Sequence, residues 1–279
     1  MTTQPYRLED LFTPAETAKE SLFSQTSIRP EVAIVLGSGI QIFENLEDQE
    51  VVPYEKIQGF PKASVKGHKG EITLGKFEGK SVAIFHGRLH RYEGHPWSNV
   101  VFPTTLMHAM GVKNIIMTNA AGGIHRYYTP GDLVLIRDHI YWQPVTQEER
   151  AYLSLKLGNE RMYFNFDPVL LEKARLAAHD SDVALRQGTY VCLLGPTYET
   201  HGELRLFSRM GGDIVGMSTI PEAIWAQALG LGVVCFSCVT NVTYDPLALA
   251  NTSHEEVVEV AQQSSARLDQ LLQALLRRL

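Results

Sequence analysis

The sequence predicts an α/β fold with a largely parallel β-sheet. Two observations carry this. Short β-branched runs alternate along the chain with amphipathic helical stretches, the pattern of strands joined by crossover helices. Several of these runs end in small or polar residues, as strands do where ligand-binding loops gather outside the carboxyl ends of a parallel sheet. The 279 residues suffice for one large domain or two small ones, and the chain holds no internal repeat or low-complexity break.

The elements follow in order. Residues 1–29 read as a helical preamble, with Thr13-Pro14-Ala15-Glu16 as its start: a capping residue, a proline at the first helical position and a glutamate at the third. The first strand, 32–36 (VAIVL), runs into LGSGI (36–40), a glycine turn expected to precede a helix. Further strands are expected at 82–85, 114–118, 133–136, 213–217 and 232–240. Thr200 with Glu203, Thr219 with Glu222, and Ser253 with Glu256 form capping-box patterns that open helices. The last opens a long helix, 254–278, with apolar residues at 257, 260, 261, 268, 271, 272 and 275, a spacing that gives one buried stripe.

Hydrophobic content of 44% and charged content of 20% suit a globular protein of enzyme size. A net charge of −6 argues against a nucleic-acid or membrane-surface binder, which needs a wide basic face. Any anion recognition must then be local. No secretory signal opens the sequence and no apolar run reaches the ~18 residues of a spanning helix. A cytoplasmic protein with reduced thiols is the expectation. Cys235 and Cys238 match CxxC, but they lie in an apolar strand where positions three apart face opposite ways, so packed thiols are expected there.

The polar residues at the strand ends are the candidates for chemistry. Ser38 follows the first strand, Arg88 and His90 the second, Asn119 the third; Met217 and Ser218 end a fourth and Asn241 a fifth. The segment FHGRLHRYEGHP (85–96) gathers three histidines and two arginines. By itself it admits an anion site, a metal site or a solvated turn. Arg88, His90 and Tyr92 stand two apart, so an extended backbone aims them to one side, where a guanidinium fork suits a pair of phosphate oxygens. No carboxylate or thiol pattern completes a metal shell. LGSGI lacks the third glycine of a dinucleotide fingerprint and the Gly-Lys-Ser/Thr of a P-loop. TNAAGGI (118–124) can lay backbone against a ligand or simply turn. In GPTYET (195–200), Glu199 either favours a helix dipole or, beside Tyr198, suits a flat heterocycle with N–H groups. HEEVV (254–258) is not HExxH, because Val258 replaces the second histidine.

Taken together, these segments resemble the trimeric, mammalian-type purine nucleoside phosphorylases. VAIVLGSGI, KGHKGEITLG, GRLHRYEGH, TNAAGGI, GDLVLIRDHI, GPTYET, GGDIVGMSTIPE, TNV and SHEEV stand in the family's order and spacing over most of 30–262. The resemblance implies a single domain over 1–279, with a central mixed, mostly parallel twisted sheet flanked by helices, of the phosphorylase/nucleosidase type, assembled as a homotrimer. It implies phosphorolysis of inosine, guanosine and their deoxy forms to free base and α-ribose 1-phosphate. By position, Ser38, His68, Arg88, His90, Ala121 and Ser218 would hold phosphate. Tyr92, Met217 and His254 would face the ribose. Ala120, Gly122, Tyr198, Glu199 and Asn241 would hold the base, with His90, Glu199 and Asn241 taking the catalytic roles. Purine nucleoside and phosphate are the expected partners, with no nucleic acid, membrane, metal or organic cofactor, since phosphate itself is the co-substrate.

The sequence departs from the family at 141–166, where relatives carry a glycine- and proline-containing loop and a phenylalanine that reaches a neighbouring subunit's ribose pocket. Met162 or Tyr163 would take that place. Val242 stands where mammalian members have lysine. The rivals are a 5′-methylthioadenosine phosphorylase, which should have an apolar residue at 254 and an aspartate near the base, a non-catalytic purine binder, and a nucleosidase using water. The last two have no need of a phosphate cradle.

Overall fold

The computed structural model describes residues 6–43, 46–62, 69–158, 164–243 and 253–279, apart from the side chain of His254. His68, Met162 and Tyr163 lie outside the described residues. The strands are β1 (Val32–Val35), β2 (Glu47–Pro53), β3 (Glu71–Phe77), β4 (Lys80–His86), β5 (Asn114–Gly123), β6 (Leu133–Tyr141), β7 (Leu185–Cys192), β8 (Ile214–Gly216) and β9 (Gly232–Val242). Among the described residues they form one sheet in the order β2-β3-β4-β1-β5-β8-β7-β6-β9. Because β9 also pairs with β5, the strands β5, β8, β7, β6 and β9 close on themselves.

The sheet is mixed. Parallel pairing links β4, β1, β5 and β9, and separately β6, β7 and β8. Antiparallel pairing joins β2 to β3, β3 to β4, β5 to β8 and β6 to β9. The helices are α1 (Glu9–Phe23), α2 (Trp97–Val100), α3 (Phe102–Ala109), α4 (Gln147–Leu157), α5 (Pro168–Asp180), α6 (His201–Arg209), α7 (Ile220–Ala228) and α8 (His254–Arg278). None of the described helices is long and apolar enough to cross a membrane.

Strand β1 is buried throughout, and its alternate residues serve two cores. Ala33 and Val35 join Leu22 of α1, Leu106 of α3 and Trp225 of α7. Val32 and Ile34 join Ala174 of α5 and Leu268, Leu271, Leu272 and Leu275 of α8. The predicted apolar stripe of α8 is therefore the part that covers one face of the sheet. Capping boxes open α6, α7 and α8 where the sequence placed them.

Two local expectations fail. The first helix starts at Glu9, not behind Thr13, and carries Pro14 inside. The Arg7 amide and guanidinium both bond Asp10, and Leu11, Ala15, Ala18 and Leu22 form the buried stripe. Burial of that stripe outweighs the one backbone bond that Pro14 removes. No helix follows LGSGI within 36–43. Instead, the amides of Gln41 and Phe43 bond Ser265 and Asp269 of α8, which satisfies the backbone without a helical turn.

Candidate active site

Register places the site. Val35 pairs with Phe85 on one side and Met117 on the other, so β4, β1 and β5 deliver the segments after them to one edge. Gly37, Arg88 and Asn119 meet there. The chain after β1 lies so close to β5 that a Cβ on Gly37 would stand 2.6 Å from the Cα of Asn119. Only glycine fits that approach. A register shift between Ala121 and Gly122 sets Asn241 of β9 beside Gly122, whose other partner is Val215 of β8. Parallel pairing of Cys192 with Gly216 then brings the segment after β7, with Tyr198 and Glu199, to the same edge as Met217 and Ser218.

A cavity of about 390 Å³ opens between these strand ends. Its lining contains Ser38, Arg88, His90, Tyr92, Ala120, Ala121, Gly122, Tyr198, Glu199, Met217, Ser218 and Asn241. The structure thus brings together every phosphate-, ribose- and base-site residue the sequence singled out except His68, the His254 side chain, and Met162 or Tyr163, which lie outside the described residues. His254 does open α8, and Val257 one turn later lines the cavity.

Arg88 is 2% exposed. Its Nη1 donates to the Thr118 carbonyl at 2.9 Å, to Thr219 Oγ1 at 3.1 Å and to Ser218 Oγ at 3.2 Å. Its Nε faces the buried Glu222 carboxylate at 3.5 Å. Asn119 Nδ2 also donates to Thr219 Oγ1, and Ser237 Oγ donates to Asn119 Oδ1. Thr219 adopts φ 74°, ψ −51°, and the Ile220 amide bonds back to the Ser218 carbonyl at 2.8 Å, a strained three-residue turn for a β-branched residue. The converging bonds on its hydroxyl, together with that from its amide to Glu222 (3.1 Å), hold the turn and aim Ser218.

His90 and Tyr92 stand on a tighter support than the extended backbone expected. Arg91–Glu93 forms a 3₁₀ turn that follows an extended His90. Glu93 accepts from the His90 amide at 2.8 Å and from its Nδ1 at 2.9 Å, which directs Nε2 away from the carboxylate. The imidazole stacks on Tyr92 with centroids 4.8 Å apart. Burial, with help from Glu93, pushes the Tyr92 phenol up to about 12, so it stays a neutral hydroxyl.

At the opposite end, Glu199 is 8% exposed, and burial raises its carboxyl above the usual carboxylate range. The Asn241 amide oxygen accepts from Thr240 Oγ1 at 3.3 Å, which leaves Nδ2 on the side of Gly122. Tyr198 lines the rim with about half its surface exposed. One end of the cavity therefore presents a buried guanidinium, hydroxyls and an imidazole, which suits an oxyanion. The other presents a carboxylate and an amide flanked by small residues, which suits a planar polar heterocycle.

Sequence reasoning missed several parts. Glu222 signalled only a helix cap, yet it also faces Arg88. Asn119 was noted as a polar strand end but not as the brace of Thr219. Gly37, Pro196, Val215, Thr240 and Val257 line the cavity from within the quoted motifs but were given no role there, and Thr243 lines it from outside them. The three cysteines are buried and free, as the packed-thiol reading expected.

The family model described as "Phosphorylase superfamily" matches residues 31–277. The chain is 36% identical over 269 residues to purine nucleoside phosphorylase 1 of Geobacillus stearothermophilus, covering 95% of this chain and 97% of that one. It is 37% identical over 273 residues to purine nucleoside phosphorylase of Bos taurus, covering 94% and 93%. Among solved structures, isoform 2 of the Schistosoma mansoni purine nucleoside phosphorylase, in complex with cytosine and ribose-1-phosphate, superposes with a TM-score of 0.83 at 30% identity, covering 96% and 97%. A Schistosoma mansoni purine nucleoside phosphorylase in complex with adenosine gives 0.83 at 31% identity over the same shares.

Proposed function

The chain belongs to the phosphorylase superfamily as a pentosyltransferase of the purine nucleoside phosphorylase kind, and on that premise we propose that it phosphorolyses inosine, guanosine and their deoxy forms in preference to adenosine. The observation that carries this reading is the pairing, in one cavity, of an oxyanion cradle around Arg88 with a buried carboxylate and an oriented amide at the far end.

Phosphate sits at Ser38, Arg88, His90, Ser218 and the Ala121 backbone, and the family resemblance assigns His68 to it as well. Ribose lies between it and the base, against Tyr92 and Met217, and the family resemblance assigns its 5′-hydroxyl to His254. The purine lies over Ala120 to Gly122, stacked by Tyr198. Glu199, ionised, accepts from N1–H and from the 2-amino group of guanine. Asn241 Nδ2 donates at N7 and O6. As the C1′–N9 bond breaks, its electron pair passes to the purine and the sugar takes on oxocarbenium character. The phosphate dianion stabilises that cation and then forms the new C1′–O bond. Charge developing on the purine meets Asn241, the type of interaction worth ~3–4 kcal/mol per donor.

A 6-amino group at O6's place would set two donors against each other at Asn241, which supports the preference over adenosine. One Schistosoma mansoni relative is solved in complex with adenosine, so the preference is argued from the Glu199 and Asn241 of this chain and not from its relatives. No metal or organic cofactor enters the mechanism. The exposed Trp142, Tyr198 and Leu206, on or next to α6, support a homotrimer in which these apolar surfaces are covered. The buried thiols support a cytoplasmic setting.

Release of hypoxanthine from inosine, followed with inorganic phosphate present and absent, tests the reading. Phosphorolysis requires phosphate and yields ribose 1-phosphate. Equal rates without phosphate would make the enzyme a nucleosidase, no turnover would leave a binder, and faster cleavage of methylthioadenosine than of inosine would favour the rival phosphorylase.

A further inference from the structure

The segment that departs most from the family is tied to the back of the phosphate end. Arg91 lies between His90 and Tyr92, which both line the cavity, but its own side chain turns away and is 8% exposed. Its Nη1 approaches the Pro144 carbonyl at 3.0 Å, Gln143 Oε1 at 3.1 Å, Tyr141 OH at 3.5 Å and the buried Glu149 carboxylate at 3.6 Å. The four partners belong to the end of β6, the loop that follows it and the first turn of α4. Tyr141 OH donates in turn to Glu149 Oε1 at 2.8 Å.

The network continues across the sheet. Gln143 Nε2 donates to the Leu193 carbonyl at 2.6 Å and to Cys192 Sγ at 3.3 Å, and the Cys192 thiol donates to the Ser218 carbonyl at 3.5 Å. On the other side, the Trp97 amide donates to Glu148 at 2.8 Å, so α4 also grips the end of the 88–97 loop. The turn carrying His90 and the turn carrying Ser218 are thereby joined through Arg91, Gln143 and Cys192, none of which lines the cavity.

We propose that Arg91 is a positioning residue: clamped by the 141–149 segment, it fixes the 3₁₀ turn from which His90 and Tyr92 enter the cavity and couples that turn to Ser218. Resting on the phosphorolysis reading, this gives the divergent segment a share in phosphate binding without contact to substrate. An apolar residue at 91 removes the clamp from the 141–149 segment and loosens the turn, so His90 and Tyr92 sample other directions.

The test compares Arg91→Met made together with Glu149→Gln, which leaves no buried carboxylate unpaired, against Glu149→Gln alone and Arg91→Lys. The double variant is expected to raise KM for phosphate and the Kd for inorganic phosphate in calorimetry tenfold or more, and KM for inosine by a smaller factor, because Tyr92 is the one nucleoside contact carried on that turn. Arg91→Lys, which keeps a cation, recovers part of the loss. Unchanged phosphate constants in a folded double variant would overturn the proposal. So would equal losses toward phosphate and inosine that track a fall in Tm, since these mark a merely structural role. A wild-type protein that binds phosphate in calorimetry but does not turn over inosine would overturn the phosphorolysis reading and leave the phosphate constants to judge Arg91.

Discussion

Asn241→Asp should convert the base end from one purine class to the other. The Asn241 oxygen is already engaged by Thr240 Oγ1 at 3.3 Å, and aspartate keeps that acceptor. What changes is the atom near Gly122, from a donor to a second acceptor. A 6-oxopurine then loses a donor that strengthens as charge reaches the purine, a loss of ~3–4 kcal/mol and so two to three decades in kcat/KM. A 6-aminopurine gains a hydrogen bond to a charged acceptor, ~1.5–3 kcal/mol or one to two decades. The ratio of adenosine to inosine turnover should rise by roughly 10³–10⁵. Chromatographic quantification of adenine and hypoxanthine, at saturating phosphate with both nucleosides below KM, reads that ratio. A ratio within twofold of the wild type, or parallel loss on both substrates, would refute the role given to the amide.

Arg88→Met should raise KM for phosphate at least tenfold, from loss of a charge-assisted contact worth ~1.5–3 kcal/mol. It also strands Glu222, 1% exposed, at a cost of ~3–5 kcal/mol. At ~2–4 °C per kcal/mol for a chain of this size, calorimetry should show Tm falling by roughly 6–20 °C. Adding Glu222→Gln should restore much of the Tm but not the phosphate affinity; recovery of both would contradict the placing of Arg88 against the anion. Burial raises the Glu199 carboxyl, and only its ionised form accepts from the purine N1–H. Guanine binding should therefore weaken as pH falls through a window above the ordinary ~4.3 of glutamate, and Glu199→Gln should flatten the profile. An identical pH dependence in the two proteins would remove Glu199 from the base contact.

What could be read from the sequence depended on how local the signal was. The strands buried on both faces, β1, β5 and β9, announce themselves as apolar runs; Ser38 follows the end of β1, while Asn119 and Asn241 sit in the final stretches of β5 and β9. Strand β2 escaped because it is an acidic, mostly exposed edge paired on one side only. Strand β7 escaped because Arg186, Gln187 and Gly188 interrupt its apolar pattern. A Cβ at Gly188 would meet the Tyr128 hydroxyl at 2.8 Å, so a close approach, not a turn, explains the glycine. Partnerships between distant segments had no local signature. Glu222 reads as a cap until the fold sets it against Arg88, and Arg91 reads as one more cation in a basic loop until the fold turns it toward Glu149.

The most direct trial of the account is a crystal of this protein soaked in sulfate, a mimic of the phosphate dianion. Density for one anion should lie within hydrogen-bonding distance of Arg88, the His90 imidazole and Ser218 Oγ, beside the amide of Ala121. A vacant cavity at well-ordered Arg88 and Ser218, in crystals whose sulfate is bound elsewhere, would contradict the cradle on which the proposed chemistry stands.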